Sequence, residues 1–254
     1  MNVSVTETNF ENMTYYLYNE TLNVSKLVGY WNFDRNTTSV RDISGNKNDG
    51  TRVGGVNWTT GGKLDSGFSF DGVNDRINID TAVGDLSTTT KGTLSAWVKP
   101  VDATPPNHDT IISFTNSAVQ DTFFYIPILP NSGILRVEMN VANEIKWGID
   151  TDASPFSDNT WTHIAIVQDA VSPILYVNGV VPAQTSYSPN DITVWFNGLT
   201  SANSGRIGDF FDSSGERLFF NGSIDEPMIF NSALSATEVS ELYNRGLVNH
   251  TTYS

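Results

Sequence analysis

Aspartate, asparagine and the aromatic residues, more than histidine or cysteine, carry the chemistry open to this 254-residue sequence. It has no cysteine, which excludes disulfides, zinc-thiolate sites and thiol catalysis. Of the three histidines, His163 sits inside the apolar run WTHIA and reads as structural, while His108 and His250 fall in polar loops, and no G-x-S-x-G elbow supports a serine nucleophile. Asp225 and Glu226 are adjacent, so on a strand they point to opposite faces and cannot form the carboxylate pair about 5 Å apart that retaining glycoside hydrolysis needs. A sugar site joins an aromatic face, which covers the apolar side of a pyranose, to amides and carboxylates that bond its hydroxyls. Trp195 and Phe196 in TVWFNG, Phe210 and Phe211 beside Asp209, and Trp147 are the aromatic candidates. Asp34, Asp42 and the side chains of residues 46–49 gather oxygen ligands in one short region, which suits either a hard cation or a series of Asx-turns.

These residues must be held by strands. The run from Ser223 to Phe230 alternates, with Ile224, Glu226, Met228 and Phe230 on one face, and neither face is purely polar, so both should be covered. Ser235, Ala236, Thr237 and Glu238 spell a capping box, and the helix that follows should end near Gly246 with Val239 and Leu242 as its apolar stripe. KLVGYWNFD, GFSFDGVNDRINI, TLSAWVKP, WTHIAIVQ and ILYVNG read as further strands, the last ending in an Asn178-Gly179 type I′ turn. We expect ten to fourteen strands and one short C-terminal helix.

The sequence is similar to the laminin-G-like and pentraxin-like jelly-roll domains of the concanavalin A-like lectin and glucanase superfamily. The resemblance rests on YWNFD, D-x-SGNxNxG, F-DG-x-x-D, LSAWVKP, WTHIA with LYVNG, and the closing FNGSIDE, NSALS and EVSELY, in that order. It covers residues 26–246 and implies an all-β fold, two antiparallel sheets packed as a sandwich, with a binding surface on loops or on one sheet face. Related glucanases carry E-x-D-x-E on one strand; Glu138 is followed by Met139 and Asn140, and the motif occurs nowhere here, so the resemblance implies a binder and not an enzyme. Pentraxin-like relatives hold calcium between two loops. The matching loops, residues 116–121 and 208–216, would offer Asp121, Asp209, Asp212 and Glu216 to Ca²⁺.

A net charge of −14 argues against a nucleic-acid backbone as partner, since phosphate contacts need basic clusters. No apolar run is long enough to insert in a membrane, and Met1 is followed by polar residues, so the chain reads as a fragment or mature form of a secreted or anchored protein, extracellular or at the cell surface. Residues 1–25 form an N-terminal extension, polar except for Tyr15, Tyr16, Leu17 and Tyr18, and residues 247–254 a tail. Sequons at Asn12, Asn19, Asn23, Asn36, Asn57 and Asn221 are candidate glycosylation sites. The expected function is a non-catalytic module that recognises a glycan or a surface protein, with calcium as its candidate cofactor. The rival expectation is a structural subunit that self-assembles through residues 1–25.

Overall fold

A computed structural model of the protein describes residues 24–199 and 201–246. The N-terminal arm before Val24, the C-terminal tail, and the sequons at Asn12, Asn19 and Asn23 lie outside the described residues. Within them the alternating segments form eighteen strands, more than the pattern predicts, because several edge strands run only two or three residues and leave too short a period to read.

Two antiparallel sheets stack face to face. One orders β13 (Pro173–Val177), β12 (Thr162–Gln168), β7 (Gly92–Pro100), β18 (Asn221–Phe230), β5 (Gly67–Asp71) and β4 (Asn57–Thr59), and adds β1 (Leu27–Tyr30) against β18. The other orders β14 (Gln184–Tyr187), β11 (Glu144–Thr151), β10 (Arg136–Val141), β9 (Phe123–Ile128), β8 (Asp109–Thr115), β15 (Ser204–Ile207), β6 (Arg76–Asn78), β3 (Gly50–Val53) and β2 (Ser39–Val40). A two-stranded hairpin, β16 (Phe210–Asp212) with β17 (Gly215–Arg217), stands apart from both.

The main core fills the space between the sheets. Leu94, Ala96, Val98, Ile164 and Ile166 from one sheet meet Phe124, Ile126, Val137, Met139, Trp147 and Ile149 from the other. Two short helices complete the fold, α1 (Ala82–Leu86) and α2 (Ala236–Arg245), and a second apolar cluster lies on the opposite side of the seven-stranded sheet, where Tyr30, Met228 and Phe230 are covered by Val239 and Leu242 of α2. The capping box forms as expected: the Ser235 side chain accepts from the Glu238 amide and the Glu238 carboxylate accepts from the Ser235 amide at 2.7 Å. Asn178 and Gly179 both take positive φ, as a type I′ turn requires.

The alternation expected along β18 breaks in its middle. Asp225 pairs with Trp97 and Met228 with Ser95, so Glu226 and Pro227 together oppose one residue of β7, and Glu226 adopts φ +54. This β-bulge returns Ile229, instead of Met228, to the face of Ile224. It also overturns the expectation that Asp225 and Glu226 point apart. Glu226 lines a pocket with Trp97 and His163, on the side of the sheet that Trp97 and Asp225 share, and accepts from the Tyr30 hydroxyl at 2.5 Å. Asp225 accepts from the amides of Lys63, Leu64 and Glu226 at 2.8, 3.0 and 2.9 Å, the structural role expected of it.

Candidate functional site

The outward faces of β9, β10, β11 and β14 carry a set of residues that lies outside both apolar clusters, with Tyr125 and Glu138 buried among their neighbours. Alternation that turns Phe124, Val137, Met139, Trp147 and Ile149 inward necessarily turns Phe123, Tyr125, Arg136, Glu138, Gly148 and Asp150 outward. Register then aligns them across the strands. Tyr125, Glu138, Gly148 and Tyr187 are successive cross-strand partners in one row, and Arg136, Asp150 and Thr185 form the next.

Gly148 is what makes the row usable. A Cβ at that position would lie 2.1 Å from the Tyr187 ring, so the ring lies across the strand where a side chain would otherwise stand. From there the Tyr187 hydroxyl donates to Glu138 Oε2 at 2.7 Å, and the Arg136 guanidinium sits 4.6 Å from the ring centre. Arg136 in turn donates from Nε and Nη2 to the two oxygens of Asp150, at 2.8 and 2.7 Å.

The electrostatics keep every group in a hydrogen-bonding form. Burial, reinforced by the Glu138 charge, pushes the Tyr125 hydroxyl up to about 12 and the Tyr187 hydroxyl further, so both phenols are donors at neutral pH. Burial raises Glu138 as well, opposed by the Tyr187 hydrogen bond and Arg136. The bidentate bond to Asp150 holds the Arg136 guanidinium firmly charged.

The β16–β17 hairpin walls one side. Phe210 packs edge-on against Phe123 and Tyr125 at 5.3 and 5.4 Å, and Arg217 lies over Phe210 while gripping Asp212 with both nitrogens. The hairpin is tied down where Ser113 Oγ donates to the Asp209 carbonyl at 2.8 Å and Thr115 Oγ1 donates to the Phe211 carbonyl. Beyond Tyr125, His108 reaches to 6.5 Å of its ring and also lines an open cleft of about 430 Å³.

Several expected ligands sit elsewhere. Trp195 is fully buried, stacked at 6.2 Å on Trp147 and met edge-on by Phe124, so it is a core residue and not a sugar platform. Phe210 is buried as the hairpin's anchor, and Phe211 lies under the Arg206 guanidinium. A large aromatic in a short polar segment looks exposed in sequence, but here residues 191–199 fold back over the core, with Trp147 donating to the Val194 carbonyl at 2.8 Å.

The two loops expected to bind calcium do meet: Ser213 donates its amide to the Val119 carbonyl, and Gln120 donates to Ser214. Their carboxylates, however, turn to arginines. Asp212 is taken by Arg217, Glu216 by Arg76 at 2.5 Å, and Asp209 is fully buried 4.0 Å from Arg76, while Asp121 accepts from its neighbour Thr122. Among the described residues no group of three or more histidine and carboxylate side chains is placed to hold a metal ion, so these four do not fit a Ca²⁺ site. The oxygen set of residues 42–49 is used structurally: Asp42 accepts from the amides of Tyr30, Ser44 and Asn48 at 3.0, 2.8 and 2.9 Å, and Asn48 donates to the Val28 carbonyl.

His163 is buried under α2 with Nε2 2.8 Å from Ser95 Oγ, and burial pushes its pKa to about 3. Among the sequons, Asn36 and Asn57 are exposed, whereas Asn221 is half-buried at the start of β18 with its amide bonded to Asp109 and its carbonyl to Val101.

A family model described as the concanavalin A-like lectin/glucanases superfamily, of laminin-G type, matches residues 71–240. The chain belongs to this superfamily. No curated protein matches the sequence. Solved structures share its fold. Domain 4 of AbnA, an extracellular arabinanase of Geobacillus stearothermophilus, in complex with arabinotriose, is 23% identical with a TM-score of 0.62, over 86% of this chain and 98% of that one. The CBM40 of a Ruminococcus gnavus IT-sialidase bound to α2,3-sialyllactose is 17% identical with a TM-score of 0.55, over 64% and 86%. The receptor-binding domain of a botulinum neurotoxin C/D mosaic is 17% identical with a TM-score of 0.65, over 88% and 52%. The chain thus spans about half of that toxin domain, and 27% of the NanB chain it also matches. No helix of the described residues is long and apolar enough to cross a membrane.

Proposed function

We propose that this superfamily member is a non-catalytic module, displayed outside the cell, that binds a glycan on the outward face of β9, β10, β11 and β14. The observation that carries the reading is the row Tyr125–Glu138–Gly148–Tyr187, flanked by the Arg136–Asp150 pair. It sets a flat ring over a side-chain-free strand position beside charged and phenolic groups that are already oriented by one another. Such a surface offers donors and acceptors for sugar hydroxyls, fixed by one another and by the Arg136 guanidinium over the Tyr187 ring, at little ordering cost. The neighbours' bound arabinotriose and sialyllactose support glycan as the ligand class.

The same groups serve hydrolysis poorly. Each carboxylate on the face is engaged, Asp150 by Arg136 and Glu138 by Tyr187, and none stands as a free acid beside a free nucleophile. The test is a glycan array followed by calorimetric titration of the wild type, Tyr187→Ala and Gly148→Ala, with circular dichroism to verify the fold. Both variants should lose binding with the fold intact. Undiminished binding in both would place the ligand elsewhere.

A further inference from the structure

Resting on that reading, we propose that the ligand is an uncharged oligosaccharide chain of about three or four residues, which runs from Tyr187 across the row and past His108 into the adjoining cleft. Two independent features point there: the charge balance of the face and the length of the path.

The charge balance disfavours an acidic sugar. The charge of Arg136 is balanced by Asp150 through two hydrogen bonds, and that of Arg217 at the wall by Asp212 in the same way. An incoming carboxylate would find both guanidinium charges already balanced, and would meet Glu138 besides. The cleft continues the pattern, since Asp71, Asp102 and Asp109 line it. Asp109 is buried, and its carboxylate, pushed up to about 6 by that burial, accepts only the Asn221 amide among the bonds described. His108 beside it is held below its ordinary value by burial and by Arg136, which disfavours its charged form. Carboxylates with spare lone pairs accept from hydroxyls, which a neutral sugar supplies in excess and an acidic one replaces in part with a like charge.

The path is too long for one sugar. The Tyr187 ring lies over Gly148, two strand spacings from Tyr125, and His108 stands 6.5 Å beyond. At about 4.8 Å per strand this is roughly 16 Å before the cleft begins, the span of about three linked pyranoses. The cleft of about 430 Å³, walled by Pro105, Pro106 and Phe219, has room for the next. His108 belongs to both spaces and joins them.

The experiment titrates the full chain with arabino-, xylo- and cello-oligosaccharides of two to six residues, and with 3′-sialyllactose as the acidic probe. In at least one neutral series, affinity should rise ten-fold or more from disaccharide to tetrasaccharide and then level off, and 3′-sialyllactose should bind no tighter than the neutral disaccharide. His108→Ala, with an unchanged melting temperature, should bring the tetrasaccharide down to the disaccharide's affinity and leave the disaccharide unaffected. A flat ladder, or a ladder that His108→Ala does not alter, overturns the inference. If 3′-sialyllactose binds and is lost in Tyr187→Ala while no neutral series binds, the binding face stands and the uncharged chain falls. Failure of every probe to bind counts against both.

Discussion

Replacing Asp209 with asparagine should stabilise the fold at pH 8 and leave it unchanged at pH 4. Asp209 is fully buried, neither of its carboxylate oxygens has a hydrogen-bond partner among the described residues, and burial pushes it from an ordinary 3.8 up to about 7 even though Arg206 and Arg76 pull the other way. Because the folded-state value is raised, the folded chain holds more protons than the unfolded chain between about pH 4 and pH 7, and stability must fall as pH rises through that window. A shift of about three units corresponds to roughly 4 kcal/mol once the group is ionised in both states. The neighbours do not need it: Arg206 keeps Asp80 and Arg76 keeps Glu216. The amide of asparagine brings its own donors beside two arginines, so the net gain should be about half, near 2 kcal/mol, or roughly 4–8 °C for a domain of this size. Urea and thermal unfolding of both proteins at pH 4, 6 and 8, in chelator and in millimolar Ca²⁺, read it directly. Loss of stability at pH 8 in chelator would show that the carboxylate is held favourably by the arginines and refute the burial argument. Loss confined to Ca²⁺ would place a cation on Asp209.

Other outcomes follow from the same structure. Asp34 and Asp109, each raised to about 6 chiefly by burial, and Glu226, raised to about 7, act in the same direction as Asp209, so the wild type should melt higher at pH 5 than at pH 8, measured by calorimetry at constant ionic strength. Ser235→Ala removes one half of the capping box of α2 and should cost about 1 kcal/mol, seen as a fall of about 2–4 °C with binding unchanged. Trp195→Ala empties a fully buried position in the aromatic core and should cost about 3–5 kcal/mol in urea titrations. Gly148→Ala sets a methyl into the space of the Tyr187 ring, so it should abolish glycan binding and quench the Tyr187–Glu138 contact, readable as a shifted ring resonance by NMR.

Most of the sandwich was legible because its strands obey a period of two. LSAWVKP and WTHIAIVQ became β7 and β12, paired as Trp97 with His163 and Ala96 with Ile164, and the capping box named α2 to within a residue. What escaped were departures from that period. The bulge at Glu226 inserts one residue, and nothing local marks it except Pro227, which cannot donate to the ladder. The proposed binding face escaped for another reason. Arg136, Glu138 and Asp150 look like ordinary solvated alternates of RVEMNV and IKWGID, and only cross-strand register, a long-range property, reveals that Glu138, Gly148 and Tyr187 share a row. The one local signal was Gly148 in the interior of a strand, which marks a close approach by something else. Trp195 and Asp209 misled because a polar neighbourhood in sequence says little about burial in a segment folded back on the core.

The row Tyr125–Glu138–Gly148–Tyr187 stands on strands whose other face is Phe124, Val137, Met139 and Trp147, so the proposed recognition and the folding read opposite sides of one register. A one-residue slip of β10 would trade Arg136 and Glu138 for Val137 and Met139, losing both at once. Substitution on that face is cheapest at exposed positions such as Thr185, while Tyr125, Glu138 and Gly148, packed against their neighbours, resist it. One backbone can then change what it recognises without relearning how to fold.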